Sequence, residues 1–84
     1  MYNVIMHNDD FTTMEFVVKV LKSVFYKDEA SATQLMLNVH RKGSAVVGLY
    51  TLDIAKSKCQ KAMQMAREEG FPFKLTYEPD LLPF

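Results

Sequence analysis

Residues Met6–Phe16 read MHNDDFTTMEF, and this stretch joins two kinds of local structure. Upstream, YNVIM (Tyr2–Met6) is a short apolar run containing β-branched Val4 and Ile5, the pattern of a strand. Downstream, Val17, Leu21, Val24 and Phe25 recur at helical spacing. Thr12 and Glu15 have the spacing of a capping box, in which the Thr hydroxyl accepts from the amide three residues on and the Glu carboxylate accepts from the Thr amide. Phe11 and Phe16 then fall at the positions of a hydrophobic staple. This reading predicts a strand, a polar turn, and a helix that begins at Thr12 and stops near Tyr26.

The rest of the chain follows from the same signals. Asp28 is a good N-cap for a second helix that runs to Lys42, where Gly43 fits a left-handed stop. Leu35, Met36 and Val39 form its apolar stripe, with His40 on the same face as Met36. SAVVGLYT gives a strand from Ser44 to Tyr50. Thr51 caps a third helix ending at Gly70, with Ala55, Cys59, Ala62, Met63 and Ala66 on its inner face. FPFKLTYE supplies a last strand from Phe73 to Glu78, and the tail Pro79–Phe84 is expected to fray. The order β-α-α-β-α-β predicts an α+β fold, with three helices packed on a three-stranded antiparallel sheet.

Length and charge narrow the function. The chain has 84 residues, expected to form one domain over 1–84 with a well-packed core. Ten basic residues balance ten acidic ones, which argues against a nucleic-acid partner and against a polybasic membrane anchor. There is no apolar run of membrane-spanning length. Met1 leads almost directly into the first strand, without a basic segment or a small-residue cleavage site, so a cytoplasmic protein is expected. The single cysteine, Cys59, forms no intramolecular disulfide or Cys-based metal framework, and it reads as core.

Two groups of residues can carry chemistry. His7-Asn8-Asp9-Asp10 lies between a strand end and a helix start, where loops hold binding residues. The plainer reading is turn chemistry, since Asn and Asp bond their own backbone. His40 is either a helix-terminal histidine whose cation the dipole favours, or a member of the same polar site. Met14 and Met36 are either gap-filling core or an adaptable surface for varied apolar side chains. Together, Asn8, Asp9 and His40 beside Met14, Met36 and Val39 make an apolar floor with a polar lip, suited to an amine next to a large apolar side chain. A metal site drawn from His7, Asp9, Asp10 and His40, and with it a small metal-dependent hydrolase, is the rival reading. The spacing matches no zinc or EF-hand pattern, and no serine-nucleophile motif or phosphate-binding glycine loop is present. A binding module without catalytic residues, cofactor or metal is therefore expected.

HNDDFTTMEFVVKVL, ATQLMLNVHRKG and VVGLYTLDIAKSK resemble, in order and spacing, the three signature segments of the ClpS family. The resemblance runs from Tyr2 to Glu78. It implies an adaptor, expected to act as a monomer, that binds substrate proteins beginning with Leu, Phe, Tyr or Trp (N-degrons) and hands them to the AAA+ unfoldase ClpA of the ClpAP protease. It implies that Asn8, Asp9 and His40 bind the substrate's α-amino group, with Asp10 supporting the loop. Thr12, Met14, Val17, Met36 and Val39 would line the side-chain pocket, Met14 acting as a gate against β-branched residues. Asp53 and Lys58 would match the acidic and basic positions that dock on the unfoldase's N-terminal domain. The plainer readings are a first-turn acid favoured by the helix dipole and a solvated lysine. Thr13 stands where the family usually has Pro, and Asp53 stands for a longer Glu, which is expected to weaken docking. The family's flexible extension before the first strand is absent from this sequence.

Overall fold

A computed structural model of the chain describes residues 1–81. The elements are β1 (Tyr2–His7), α1 (Met14–Ser23), α2 (Glu29–Lys42), β2 (Ser44–Tyr50), α3 (Leu52–Glu68) and β3 (Lys74–Pro79). The sheet order is β2-β1-β3, with β1 antiparallel to both neighbours. The expected β-α-α-β-α-β order and antiparallel α+β architecture are both present.

Alternation sets the sheet's inner face. Val4 and Met6 of β1 are fully buried, and Leu75, opposite Met6 on β3, is buried with them. On β2 the register slips between Val4, opposite Gly48, and Ile5, opposite Val46. Val47 is therefore the extra residue of a bulge, and it is buried. Phe16, Val20 and Leu21 of α1, Ala32, Met36 and Val39 of α2, and Ala55, Cys59, Ala62 and Ala66 of α3 complete one continuous core. α3 packs across all three strands, whereas α2 packs on β2 and α1 packs on α2. The run of alanines lets α3 lie close to the sheet. Burial raises the pKa of the Cys59 thiol, in keeping with an inert core position.

The first helix starts one residue later than the capping box predicts. Thr13 is the N-cap, in extended conformation, and its Oγ1 accepts from the Phe16 amide at 3.2 Å. Thr12 points its hydroxyl elsewhere, to Asp9, and Phe11 is exposed rather than stapled to buried Phe16. The Thr12–Glu15 box and the Phe11–Phe16 staple are thus not formed. Two adjacent threonines give the same local signal, and a tertiary demand on Thr12 decides which one caps.

The second helix matches its predicted limits. The Asp28 side chain accepts from the Ser31 amide, and Gly43 closes the helix at φ 89° with its amide on the Val39 carbonyl. α1 ends differently: regular helix stops at Ser23, and Tyr26 takes φ 55°, a left-handed conformation that costs a non-glycine residue about 1–2 kcal/mol. At the other end of the chain, Pro79 belongs to β3 and Asp80 is fixed: its amide donates to the Met1 carbonyl at 2.9 Å, and Asn3 Nδ2 donates to its carboxylate at 3.2 Å. The expected fraying does not reach these two residues; Leu81 is exposed and in no regular element, and 82–84 lie outside the described residues.

The position of the cap gives a direct test. Thr13→Ala should lower stability by about 1 kcal/mol. Exposed Glu15, freed of the capping-box role, should tolerate Ala within about 0.5 kcal/mol. Urea unfolding midpoints of the two variants measure the difference. A larger loss at Glu15 would restore the capping box.

Candidate functional site

A cleft of about 400 Å³ opens where β1 ends. Its walls are the loop of residues 8–13, the start of α1 and the C-terminal part of α2. All the residues expected to form the peptide site, namely Asn8, Asp9, Asp10, Thr12, Met14, Val17, Met36, Val39 and His40, line this one cleft. The bulge-free end of β1 feeds the loop, and α2 approaches it from the other side of the chain.

The loop is built around Asp9. One carboxylate oxygen accepts from the Phe11 amide at 2.8 Å and from the Thr12 amide at 2.7 Å. The other accepts from Thr12 Oγ1 at 2.7 Å. Partial burial alone would raise the pKa of this carboxyl, but the bonds from the Thr12 amide, the Thr12 hydroxyl and the Phe11 amide outweigh it, and the net shift is downward. Asp9 is therefore ionised over the whole physiological range. An ionised carboxylate offers about four acceptor positions; three are filled from within the loop, leaving capacity for a donor in the cleft. The supporting role expected of Asp10 belongs instead to Asp9, because Asp10 is exposed and makes no side-chain hydrogen bond within the described structure.

A second bond fixes the loop to α2. The Asn8 amide donates to the Gly43 carbonyl at 2.9 Å. It clips the loop to the residue that ends α2, bringing Asn8 to the helix end that carries His40. Both side chains belong to exposed residues at the rim. The floor has the opposite character: Met36 and Val39 are 8% and 4% exposed, and Val17 is half-buried. Met14, at the first position of α1, is 47% exposed and stands over this floor as part of the rim.

Phe73 is a floor residue that the sequence did not reveal. It is buried just before β3 and packs edge-on against Phe16, with ring centroids 5.7 Å apart. Phe16 also meets Phe71 at 5.0 Å. Such aromatic pairs are worth about 0.5–1.5 kcal/mol each beyond their burial. The only sequence signal was the aromatic pair in FPF, and nothing local ties it to a helix more than 50 positions upstream.

The metal reading finds no ligand set. Among the described residues no three His, Cys, Asp or Glu side chains come together to hold an ion. His7 Nε2 lies 2.7 Å from Thr76 Oγ1 on β3, and Asp9 is occupied by its loop. Among the described residues, no helix is long and apolar enough to cross a membrane.

Asp53 and Lys58 lie on α3, away from the cleft lining. Asp53 is exposed in the first turn. Lys58 is not a freely solvated lysine: its ammonium donates to the Val24 carbonyl at 2.6 Å. It also lies 5.7, 4.7 and 5.3 Å from the ring centroids of Phe25, Tyr26 and Tyr50. These distances are within the range of cation–π attraction.

A small α+β fold with a polar-lipped apolar cleft has the form in which ligand sites are commonly built. Residues 1–76 match the family model described as ATP-dependent Clp protease adaptor protein ClpS. The chain is 55% identical over 80 residues to the adapter protein ClpS of Acetivibrio thermocellus, covering 95% of this chain and 81% of that one. It is 50% identical to that of Desulfatibacillum aliphaticivorans, covering 95% and 77%. Agrobacterium tumefaciens ClpS2 bound to L-phenylalaninamide superposes with a TM-score of 0.91 at 44% identity, over 94% of this chain and 95% of that one. The chain belongs to the ClpS family of Clp protease adaptors.

The Asp9 geometry predicts a linked titration. Its folded pKa is depressed, so its stabilisation of the loop is fully present above the ordinary aspartate range and is lost as pH falls through the lower, folded value. The Phe11 and Thr12 amide proton shifts should therefore titrate together, with a midpoint below that of an unstructured aspartate. Asp9→Asn, which has one acceptor oxygen instead of two, should abolish this titration. It should also speed hydrogen exchange at both amides by about tenfold or more, the loss expected for hydrogen bonds to a charged group. Independent titrations of the two amides would break the link.

Proposed function

We propose that this chain recognises the free N-terminus of proteins whose first residue is Leu, Phe, Tyr or Trp and delivers them to the ClpA unfoldase for degradation by ClpAP. The observation that carries the reading is the single cleft in which an Asp9-organised polar lip meets an apolar floor of Val17, Met36, Val39 and Phe73. L-phenylalaninamide, the ligand of the related Agrobacterium protein, combines a free amine, a large apolar side chain and an amide in place of the next peptide bond. Each part has a counterpart here. The ammonium donates to the Asp9 carboxylate, the Asn8 side-chain oxygen and a His40 ring nitrogen. The side chain enters between Met14 and Met36, with Thr12 at the edge. No bond is made or broken, so the protein works by binding alone, without metal or cofactor.

The same reading makes residues 1–84 an adaptor core domain that acts as a cytoplasmic monomer, without nucleic-acid or membrane partners. Asp53 and Lys58 contribute to a separate surface on α3 for the N-terminal domain of the unfoldase. Family membership and the separation of α3 from the cleft support this division. Lys58→Glu should weaken unfoldase binding and leave peptide affinity intact; parallel loss of both would mean one site or a damaged fold.

Peptide titrations test the cleft. A charge-assisted hydrogen bond contributes about 1.5–3 kcal/mol, so N-acetylating a Phe-initial peptide should weaken binding by at least about tenfold. Equal affinities for the free and acetylated peptides would overturn the amine clamp.

Met14 gives a separate test of selectivity. Val and Ile branch at Cβ, next to the clamped amine, and are stiff at χ1. They cannot swing clear of a side chain standing at the rim. Met14→Ala should admit Val- and Ile-initial peptides that wild type rejects, with some loss of Phe affinity. If wild type binds Ile as tightly as Leu, or the variant still rejects Ile, Met14 is not the gate.

A further inference from the structure

We propose that Lys58 serves unfoldase docking as a positioning residue: it holds the left-handed turn at the end of α1, presenting Tyr26 to the partner, rather than forming an ion pair with it. The inference rests on the docking reading above and specifies how that surface works.

Three observations converge on this lysine. The first is its hydrogen bond. The Val24 carbonyl belongs to the last turn of α1, where carbonyls lack a partner within the helix, and the Lys58 ammonium caps it from α3 at 2.6 Å. A cation at a helix C-terminus also meets the negative end of the dipole. The second is the aromatic enclosure formed by Phe25, Tyr26 and Tyr50. Tyr50 takes part because Gly48 leaves room: a Cβ at Gly48 would overlap the Tyr50 ring. Phe25 and Tyr50 are themselves near neighbours, at 6.3 Å.

The third is the turn itself. Tyr26 adopts φ 55° where glycine is the usual residue, and the Lys27 amide donates back to the Leu21 carbonyl at 2.9 Å. Tyr26 is 78% exposed although its ring lies nearest the Lys58 ammonium. A strained backbone carrying an exposed aromatic is held in place by a cation from another element. Residues held in sparsely populated conformations persist only where the surroundings over-determine them, and they cluster at active sites, ligand clamps and switch regions. Tyrosine is also among the residues that dominate protein interfaces. The ammonium already faces a carbonyl and three rings, so the exposed group at this point of the surface is Tyr26, with Lys58 behind it.

Two measurements test the proposal. The first needs no partner: in NMR spectra of the free protein, the Lys58 ε-methylene protons should be shifted upfield by the rings. Tyr26→Asn, which keeps a residue tolerant of the left-handed region, should reduce that shift. Random-coil positions in wild type would show that the enclosure does not exist in solution and would overturn the proposal.

The second is a titration with the isolated N-terminal domain of the unfoldase at two salt concentrations. Lys58→Met and Tyr26→Asn should each weaken docking by about tenfold, as expected for loss of an anchoring group. The double variant should be little worse than either single, because one residue acts through the other. Lys58→Arg should retain docking, since a guanidinium stacks on aromatic rings and donates to a carbonyl. The salt dependence of the remaining binding should be unchanged in Lys58→Met, whereas loss of a direct ion pair would flatten it. Unchanged Phe-peptide affinity in every variant verifies the fold. Full docking by Tyr26→Asn, or a flattened salt dependence in Lys58→Met, overturns the positioning role in favour of a direct ion pair. Failure of wild type to bind the domain refutes the docking reading and this role with it, while the ring-current shift still decides whether Lys58 is enclosed.

Discussion

The reversal at Gly43 is the constraint on which both the fold and the cleft depend. Its left-handed backbone closes α2 through the Val39 carbonyl and turns the chain so that Ser44, the next residue, already pairs with His7 of β1. The carbonyl of the same residue accepts the Asn8 amide. One residue thus ends a helix, starts a strand without a connecting loop, and anchors the segment that follows β1. A side chain at this position would meet no neighbour, so the requirement lies in the backbone dihedral and not in space. His40 lies at the rim because it is in the last turn of α2, three residues before Gly43.

The cleft divides its work between charge and packing. The lip is a loop of residues that a carboxylate organises from within, so it is ordered without being buried in the core. The floor is an extension of the core itself, with Met36 and Val39 shared between the two. Preorganisation of this kind reduces the ordering needed for the binding proposed above, because the loop is already fixed by its own hydrogen bonds. The turn-forming role of Asp9 is also compatible with the amine-acceptor role proposed for it. A carboxylate that accepts three hydrogen bonds from the loop stays ionised, and ionisation is what makes it a partner for an ammonium.

The far end of the molecule follows a different logic. There a lysine from α3 stabilises a helix terminus and a strained turn, so α1 and α3 are braced at the edge remote from the cleft lining. Gly48 matters to this brace through the space it leaves for Tyr50, unlike Gly43, which matters through its dihedral. The bulge at Val47 lies immediately before it on the same strand.

Element types, their order and most of their limits were legible in the sequence, because helix periodicity, the Asp28 and Gly43 caps, and the β-branched run of β2 are local signals that agree with one another. The lip and floor were also legible as residue types, since Asn8, Asp9, His40, Met14, Met36 and Val39 lie in two short segments with clear chemistry. The tertiary structure decided what depends on contacts between distant segments. It chose Thr13 over Thr12 as the cap, because the Thr12 hydroxyl is committed to Asp9. It transferred the loop-supporting role from Asp10 to Asp9, and it brought Phe73 to the cleft through edge-on contacts among three phenylalanines. It enclosed Lys58, whose neighbours in sequence give no sign of the aromatic rings around it. Sequence fixes such a residue's charge and its face on a helix; whether that charge meets water, a carbonyl or a ring is set only when another element packs against it.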